Sequence, residues 1–486
     1  MDIIAFGTGQ ASVKMLPLIE KSHRILFVTD NDEKKWGTGF GKYIVKSPKE
    51  ILGNDCGIVI VTTRYAVEVS QQLLNMGISE ERVFFCREYQ RGRSCDCDIY
   101  PLKVEKMPNA RKTLAQYDLF HESERGTVGK KVLIACIHYS VYMKQVIENI
   151  SKRYTDIEFS ILTCDPKCDD KINSGYLKHI YCFQTMEDLK AILEQMPIYD
   201  AMQFLWIENE WCYFYRLIRE KAKRLNLNVG GSDFYRSSDS QRNYKKALIA
   251  CADTITAETK GTIYDFETYF KDDIKNSIGL LPFGIEVLEW INQSRMTSKK
   301  KFGIPEGRIV VTCGHNAGQT HQHLRIIDAV ESLPENVREQ CVFVFPMTYP
   351  GGQESYIENV KDRLSKSGLE FVVFTDFMDF QDMAEYALIS DIMLHVQTTD
   401  QLSSTMLEEI YAESIVIAGK WLPYSSLHEM GIYFLDVVEI KDITCLLEDV
   451  VMNINEYKQR CRGNSDIVWN HSSWNALAPK WHALWE

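Results

Sequence analysis

Short apolar runs alternating with amphipathic helical stretches recur three times along the chain, and this rhythm decides most of what it can fold into. IIAF (3–6), HRILFVT (23–29), GIVIVTT (57–63) and RVFF (82–85) read as strands, with helices over 11–20 and 67–77 between them. Strands separated by helices pair in parallel, because a parallel neighbour needs a crossover. A second series starts at KKVLIACI (130–137). It continues through a helix over 143–154, EFSILT (158–163), MQFLWI (202–207), a long helix expected over 211–225, and LNVGG (227–231). A third starts at RIVVTCG (308–314) and runs through CVFVFPM, EFVVFTD, IMLHV and IVIAG, again with helices between. The expected fold class is α/β with three Rossmann-like units. Residues 1–90 form the first; 91–127, of mixed charge and weak periodicity, read as a linker.

Composition bounds the function. A chain of 486 residues suggests about three domains. Hydrophobic residues at 45% and charged residues at 25% exclude a mainly disordered chain, a collagen and a coiled coil. Lys+Arg 55 against Asp+Glu 67 gives −12, and so acidic a chain lacks the basic face a general nucleic-acid binder needs. No run of about 18 apolar residues is present to span a bilayer. MDIIAFGTGQ lacks the basic and apolar regions of a signal peptide. A cytoplasmic protein with reduced thiols is expected. The pairs Cys95/Cys97 and Cys164/Cys168 lack the second C-x-x-C half of a structural zinc site, so no metal is assigned to them.

The first strand runs into Gly7-Thr8-Gly9-Gln10-Ala11-Ser12, and the second ends at Asp30. Two glycines at a strand-to-helix turn permit close backbone approach to a phosphate, and an acid at the end of the next strand can meet a ribose. Serine stands where the third glycine would. FVTDNDEKKWG resembles the N-terminal nucleotide-binding-like halves of bacterial sugar-modifying enzymes. The turn and this acid make Gly7, Gly9, Ser12 and Asp30 a candidate nucleotide site, and the resemblance implies the Rossmann-like fold around it; the alternative is a turn kept for packing. No Tyr-x-x-x-Lys pair or catalytic histidine follows, so this domain is expected to fold by itself and do no chemistry.

Ligands of open parallel sheets bind beyond the carboxyl ends of the strands. In the middle series those loops carry His138, then Glu208 and Glu210, then Gly230–Arg236 with Asp233. In the last series they are Gly314–Thr320, Pro346–Pro350, Thr375–Met378 and Gln397–Asp400, leading to Ser403-Ser404-Thr405.

Several of these stretches carry a family likeness. VGGSDFYR, ADTITAET, LLPFGIE, LEEIYAESIVIAG and the closing SSWNALAPKWHALWE resemble, in order, segments of GT-B glycosyltransferases. FPMTYPGGQESYIENVKDRL and GHNAGQTHQH are similar to stretches of the family that transfers acetamido-fucose from a TDP-sugar to a polyprenyl-diphosphate-linked acceptor. The likeness spans about 128–486 and implies a two-lobed GT-B fold. The acceptor lobe would be 128–292 with the returning helix 466–486, and the donor lobe 293–465.

The likeness also implies a metal-independent transferase with no required cofactor. Its substrates would be a nucleotide-sugar donor, TDP first and UDP second, and a lipid-linked or surface-glycan acceptor. Gly314, His315, Asn316 and Gly318 would cradle the diphosphate, with His321, His323 or Arg325 as cationic partner. Thr375, Asp376 and Phe377 would line the base, and Tyr349, Ser404 and Thr405 complete the donor set. Asp400 and Glu408, spaced D-x7-E, would meet the sugar and the ribose diol, since a carboxylate accepts two hydrogen bonds. The other reading of Glu408 and Glu409 is a solvated helix face. An inverting outcome needs a general base, for which Asp233, Glu208, Glu210 and His138 are the candidates; D-x7-E suits a retaining one.

Aromatic and basic residues over 211–224 would suit peripheral contact with the inner face of a membrane, or else a core helix with a charged outer side. Trp474, Leu477, Trp481 and Trp485 share a helix face that reads as packing. Two rival functions stay open: a nucleotide-sugar-modifying or NAD-binding enzyme run by the first domain, and a non-catalytic binding protein with a GT-B fold.

Overall fold

A computed structural model describes residues 1–61, 65–91, 94–108, 112–119, 129–168, 172, 174–294 and 297–486. The chain divides into two compact units. One holds Met1–Ile255, Phe270–Ser277 and Trp485; the other holds Thr256–Tyr269, Ile278–Leu484 and Glu486.

The first unit contains two sheets. The first comprises β1 (Asp2–Phe6), β2 (Arg24–Thr29), β3 (Gly39–Phe40), β4 (Tyr43–Lys46), β5 (Gly57–Ile60), β6 (Val83–Arg91) and β7 (Ser94–Pro101). Their order is β3-β4-β2-β1-β5-β6-β7, parallel except for the two edge strands. Successive β1 side chains point to opposite faces. Ile3 and Ala5 pack with Met15, Leu16 and Ile19 of the helix Gln10–Ile19. Ile4 and Phe6 pack with Val69 and Leu73 of the helix Ala66–Asn75. Burial on both faces explains why this strand is apolar from Ile3 to Phe6.

The second sheet begins with β8 (Lys130–Ala135), β9 (Ile157–Thr163), β10 (Leu177–Cys182), β11 (Tyr199–Leu205) and β12 (Ala222–Val229), in order β10-β9-β8-β11-β12. The division between the units falls within β13 (Thr254–Ala257), which pairs with β14 (Gly279–Leu280) through Thr256 and Ala257.

Two sequence readings change here. The stretch read as a linker holds β7, which pairs with β6 from Phe84↔Pro101 to Arg91↔Ser94. It also bonds to the second sheet and the helices beside it. Asp98 Oδ2 accepts the Met186 N–H at 2.7 Å, Tyr213 donates to Pro101 O at 2.6 Å, and Asp118 accepts from Ile180 N–H at 2.9 Å. The helix expected over 211–225 is instead two short helices, Asn209–Tyr213 and Tyr215–Lys221, broken at Phe214 and followed directly by β12. Trp211, Tyr213, Phe214 and Ile218 are buried, so the aromatic half of the expected membrane face points into the protein.

The second unit is built on β15 (Ile309–Cys313), β16 (Cys341–Pro346), β17 (Phe371–Phe374), β18 (Ile392–His395), β19 (Ile415–Gly419) and β20 (Leu435–Val437), all parallel, in order β17-β16-β15-β18-β19-β20. One core gathers Val311, Phe343, Leu394 and Ile417 with Ile326, Ile327 and Val330 of the helix His323–Glu331. Another joins Leu288 and Ile291 of the helix Val287–Gln293 to Met406, Leu407 and Ile410. Near the C-terminus Trp474 and Trp481 are fully buried, and the Trp481 indole donates to Pro282 O at 3.0 Å. Trp485 packs edge-on against Phe159 in the first unit.

Candidate functional site

In a doubly wound sheet the loops beyond the strand ends splay apart where the strand order reverses, leaving a crevice. In the third sheet that point lies between β15 and β18, in the second between β8 and β11, and in the first between β1 and β5. The candidate residues fall largely on these loops.

Beyond β15 the chain turns at Gly314, φ +71°, whose N–H donates to Leu394 O at 3.1 Å. A Cβ there would stand 3.0 Å from His323 Nε2 and 3.2 Å from His321, in a backbone region that side chains rarely adopt, so glycine is required. Asn316 Oδ1 accepts the Gly318 N–H at 2.7 Å, and Ala317 N–H donates to Tyr349 O at 2.6 Å. The Tyr349 ring is 46% exposed, but its hydroxyl turns inward to Asn316. Burial there, with the charges of Glu408 and Asp400, pushes that hydroxyl up to about 12. The loop after β18 joins the same structure through Thr398 N–H to Thr320 O at 2.9 Å and Gln322 Nε2 to Val396 O at 2.7 Å.

Four histidines line this turn. His315 lies edge-on to His321, ring centroids 4.3 Å apart, and stacks on His395 at 5.6 Å. His323 lies 5.7 Å from His321. Burial and the neighbouring His395 lower His315 to about 3, and burial lowers His323 to about 4. His323 is therefore neutral near pH 7 and does not supply the expected cation. Arg325, another of the three sequence candidates, is exposed and donates to Gln322 Oε1 at 2.7 Å.

Asp400 lies 3.5 Å from His395 Nε2 and accepts the Tyr424 hydroxyl, which in turn lies 3.0 Å from His395 Nε2. Burial alone would raise Asp400; the hydrogen bonds and charge of His395 and the bond from Tyr424 outweigh it, and its pKa falls. Glu408, on the helix Ser404–Tyr411, is 3% exposed, and Glu409 beside it is 1% exposed. Neither belongs to a solvated helix face. Burial and the Glu409 charge push Glu408 up to about 8; burial pushes Glu409 up to about 7, against hydrogen bonds from Ser414 and Ser390. Ser403 caps this helix by accepting the Met406 N–H at 3.2 Å, and Ser404 and Thr405 form its half-buried first turn.

Thr375, Asp376 and Phe377 follow the edge strand β17, and all three are exposed, Phe377 at 81%. Sequence reasoning missed His395, Tyr424 and Gln401. Gln401 is 4% exposed, and neither end of its amide has a hydrogen-bond partner.

In the first unit, Trp206 takes φ +66° after β11, and Gly230 makes room for it: a Cβ at 230 would fall 1.8 Å from the Trp206 indole nitrogen. Asp233 Oδ2 accepts the Ile207 N–H at 2.7 Å, fixing the turn that presents Glu208. Burial raises Asp233 despite Lys245, whose amine donates to Asp233 O and, at 3.2 Å, to Ser237 Oγ. The Glu208 carboxylate makes no capping bond on its helix. Burial, then Glu210 and Asp233, push it up to about 7. Glu210 lies 3.9 Å from Arg87 of β6. His138 is exposed, with Nδ1 3.5 Å from Cys164 Sγ.

At the first sheet Gly7 has φ +118°, Gly9 precedes the helix Gln10–Ile19, and Ser12 donates to Gly7 O at 2.8 Å. Asp30 is engaged by its own domain: Thr8 donates from N–H at 2.9 Å and from its hydroxyl, Asp32 N–H at 2.9 Å and Lys35 at 3.2 Å. Burial raises its pKa, and these bonds together bring it below the usual range.

All fourteen cysteines are free thiols. Among the described residues no group of three His, Cys, Asp or Glu side chains is placed to hold a metal ion, and no helix is long and apolar enough to cross a membrane.

Comparison with known proteins adds two findings. The family model described as C2185-like, N-terminal, matches residues 1–84. Solved structures with the same fold include a glycosyltransferase from Rickettsia africae, with TM-score 0.59 and 12% identity over 74% of this chain and 98% of that one. A sucrose-phosphate synthase from Thermosynechococcus elongatus aligns with TM-score 0.58 and 11% identity over 73% of this chain and 98% of its own. HepE of Anabaena, solved with UDP and glucose, aligns with TM-score 0.58 and 12% identity over the same shares, 73% and 98%. No curated protein matches. At these identities the likeness is one of fold: the chain has the Rossmann-like α/β fold of GT-B glycosyltransferases.

Proposed function

We propose that this chain is a glycosyltransferase that moves a sugar from a nucleotide-sugar donor to a lipid-linked or surface-glycan acceptor. The observation that carries the reading is the crevice between β15 and β18. There one turn gathers Asn316 and the Tyr349 hydroxyl within electrostatic reach of Asp400 and Glu408. A diol needs a carboxylate that can accept two hydrogen bonds; Glu408, out of bulk water and protonated up to about pH 8 when nothing is bound, would ionise as the diol hydroxyls donate to it. A diphosphate needs oriented N–H groups; Gly314, Ala317 and Gly318 use theirs within the fold of the turn, so the start of the helix Ser404–Tyr411 is the place we assign for it, beside that turn. Asp400, its geometry set by Tyr424 and His395, would meet the sugar.

Two donors have support. The motifs shared with the acetamido-fucose family favour a TDP-sugar, and the UDP bound in the Anabaena neighbour favours a UDP-sugar. For the acceptor, Glu208 is the base we assign. Asp233 is engaged in holding the turn, whereas Glu208 titrates at about 7, where a base is half in its working form. The first domain keeps Asp30 for its own turn, which weighs against a redox or sugar-modifying reaction run from there.

The test is a screen of donor hydrolysis and transfer with UDP-, TDP- and GDP-sugars, with and without EDTA. We expect one of the first two to be consumed and the rate to survive chelation, because backbone donors take up the diphosphate charge. Activity lost in EDTA and restored by Mg²⁺ or Mn²⁺ would contradict the metal-independent part of this reading. Failure to bind any nucleoside diphosphate would leave the non-catalytic reading standing.

A further inference from the structure

Arg87 stands on β6 of the first sheet, but its side chain is engaged with the second. Its guanidinium lies 3.9 Å from the Glu210 carboxylate, and the side chain is only 11% exposed. Nη1 is 3.7 Å from Met186 Sδ, and the charged group sits 5.5 Å from the centre of the Phe183 ring. Asp98, opposite Arg87 in the β6–β7 ladder, accepts the Met186 N–H at 2.7 Å. One rung of an edge hairpin thus reaches the adjoining sheet with both a cation and an anion.

We propose that Arg87 is a positioning residue for the carboxylate pair Glu208 and Glu210, so that the first α/β layer is an integral part of the acceptor-activating site. The inference rests on reading Glu208 as the base. Three carboxylates, Glu208, Glu210 and Asp233, converge near one turn. Lys245, the cation facing them from the helix Asp239–Cys251, is engaged by Asp233 O and Ser237. Lys245 acts on Glu208 and Asp233, and the cation at Glu210 is Arg87. Removing one partner of this partly buried ion pair leaves the other uncompensated, free to swing or to repel its neighbour. The groups facing Glu208 are Glu210 and Cys212 from its own helix, Asp233 after β12, Lys245, and Cys136 beyond β8. Those facing Arg87 are Glu210, Cys164, Tyr100 and Asp98.

The test is a pH titration of the full-length chain by infrared difference spectroscopy. It follows the carboxyl band that disappears in Glu208→Gln. In the wild type that band should titrate near pH 7. In Arg87→Met the midpoint should rise by about half a unit to one unit, because the Glu210 carboxylate, no longer held by the arginine, is free to approach Glu208. Arg87→Lys should keep the wild-type midpoint. In a Glu210→Gln background Arg87→Met should have almost no effect, since the arginine acts through Glu210. An unchanged midpoint in Arg87→Met, or an equal shift in the Glu210→Gln background, overturns the proposal. A shift in Arg87→Lys as large as that in Arg87→Met also overturns it, by marking a packing role. The base reading is checked separately: normal sugar transfer by Glu208→Gln sinks that reading, whatever the Arg87 variants do.

Discussion

Glu408 carries the most chemistry for one residue. Buried, it keeps its proton to about pH 8, whereas in the unfolded chain it ionises near 4.5. Below 4.5 both states are protonated and the group is neutral to stability. Between 4.5 and 8 the unfolded state ionises and the folded state does not, so stability falls as pH rises. Glu409 and Glu208, both raised to about 7, act in the same direction. We predict that Glu408→Gln stabilises the ligand-free protein at pH 8 by on the order of 1–3 kcal/mol, with little effect at pH 4.5. Thermal melts at the two pH values check this, and an equal change at both would contradict it. The D-x7-E spacing made Glu408 and Asp400 legible in the sequence. The partners that set Asp400 were not: Tyr424 lies 24 residues away and is brought in only by the turn after β19. The expectation that His323 is cationic failed because burial, invisible in one histidine of a helix start, removes the water that would solvate its charge.

At the level of elements, the turns after the strands decide the geometry. Gly314→Ala should cost about 1–3 kcal/mol, since it adds a Cβ at φ +71° against His323 and His321. Denaturant unfolding measures the cost; a loss below about 0.5 kcal/mol would show that the turn relaxes. The strands of the three series were legible because burial on both faces writes them as apolar runs. The pairing of β6 with β7 was not, since CREYQ and SCDCDIY carry few apolar residues and lie on the last two strands of the sheet. The break in the expected helix over 211–225 was hidden for the opposite reason. AKRLNLNV alternates as a strand, but its charged first half continues the helical charge pattern before it.

For the whole molecule, no pattern of residues signals that the first domain is bonded to its neighbour sheet. Those bonds join residues far apart in the chain: Ser238 to Glu68 at 2.7 Å, Tyr213 to Pro101, Met186 to Asp98. We therefore predict that a chain beginning near residue 125 is less stable than the full chain, with a lower melting temperature or loss of solubility. An unchanged melt would show that the interface contributes little. The likeness to GT-B enzymes was legible as fold, because five short segments, from VGGSDFYR to SSWNALAPKWHALWE, appear in the order of that fold. The donor, the sugar and the acceptor were not, because they depend on side chains converging from separate loops. The central claim is that the crevice between β15 and β18 binds a nucleotide through Glu408, and titration calorimetry of UDP and TDP against wild type and Glu408→Ala tests it most directly. Loss of a hydrogen bond to a charged group should weaken the better nucleotide by roughly 10- to 150-fold. Equal affinity in the two proteins, or no binding to the wild type, would contradict the account.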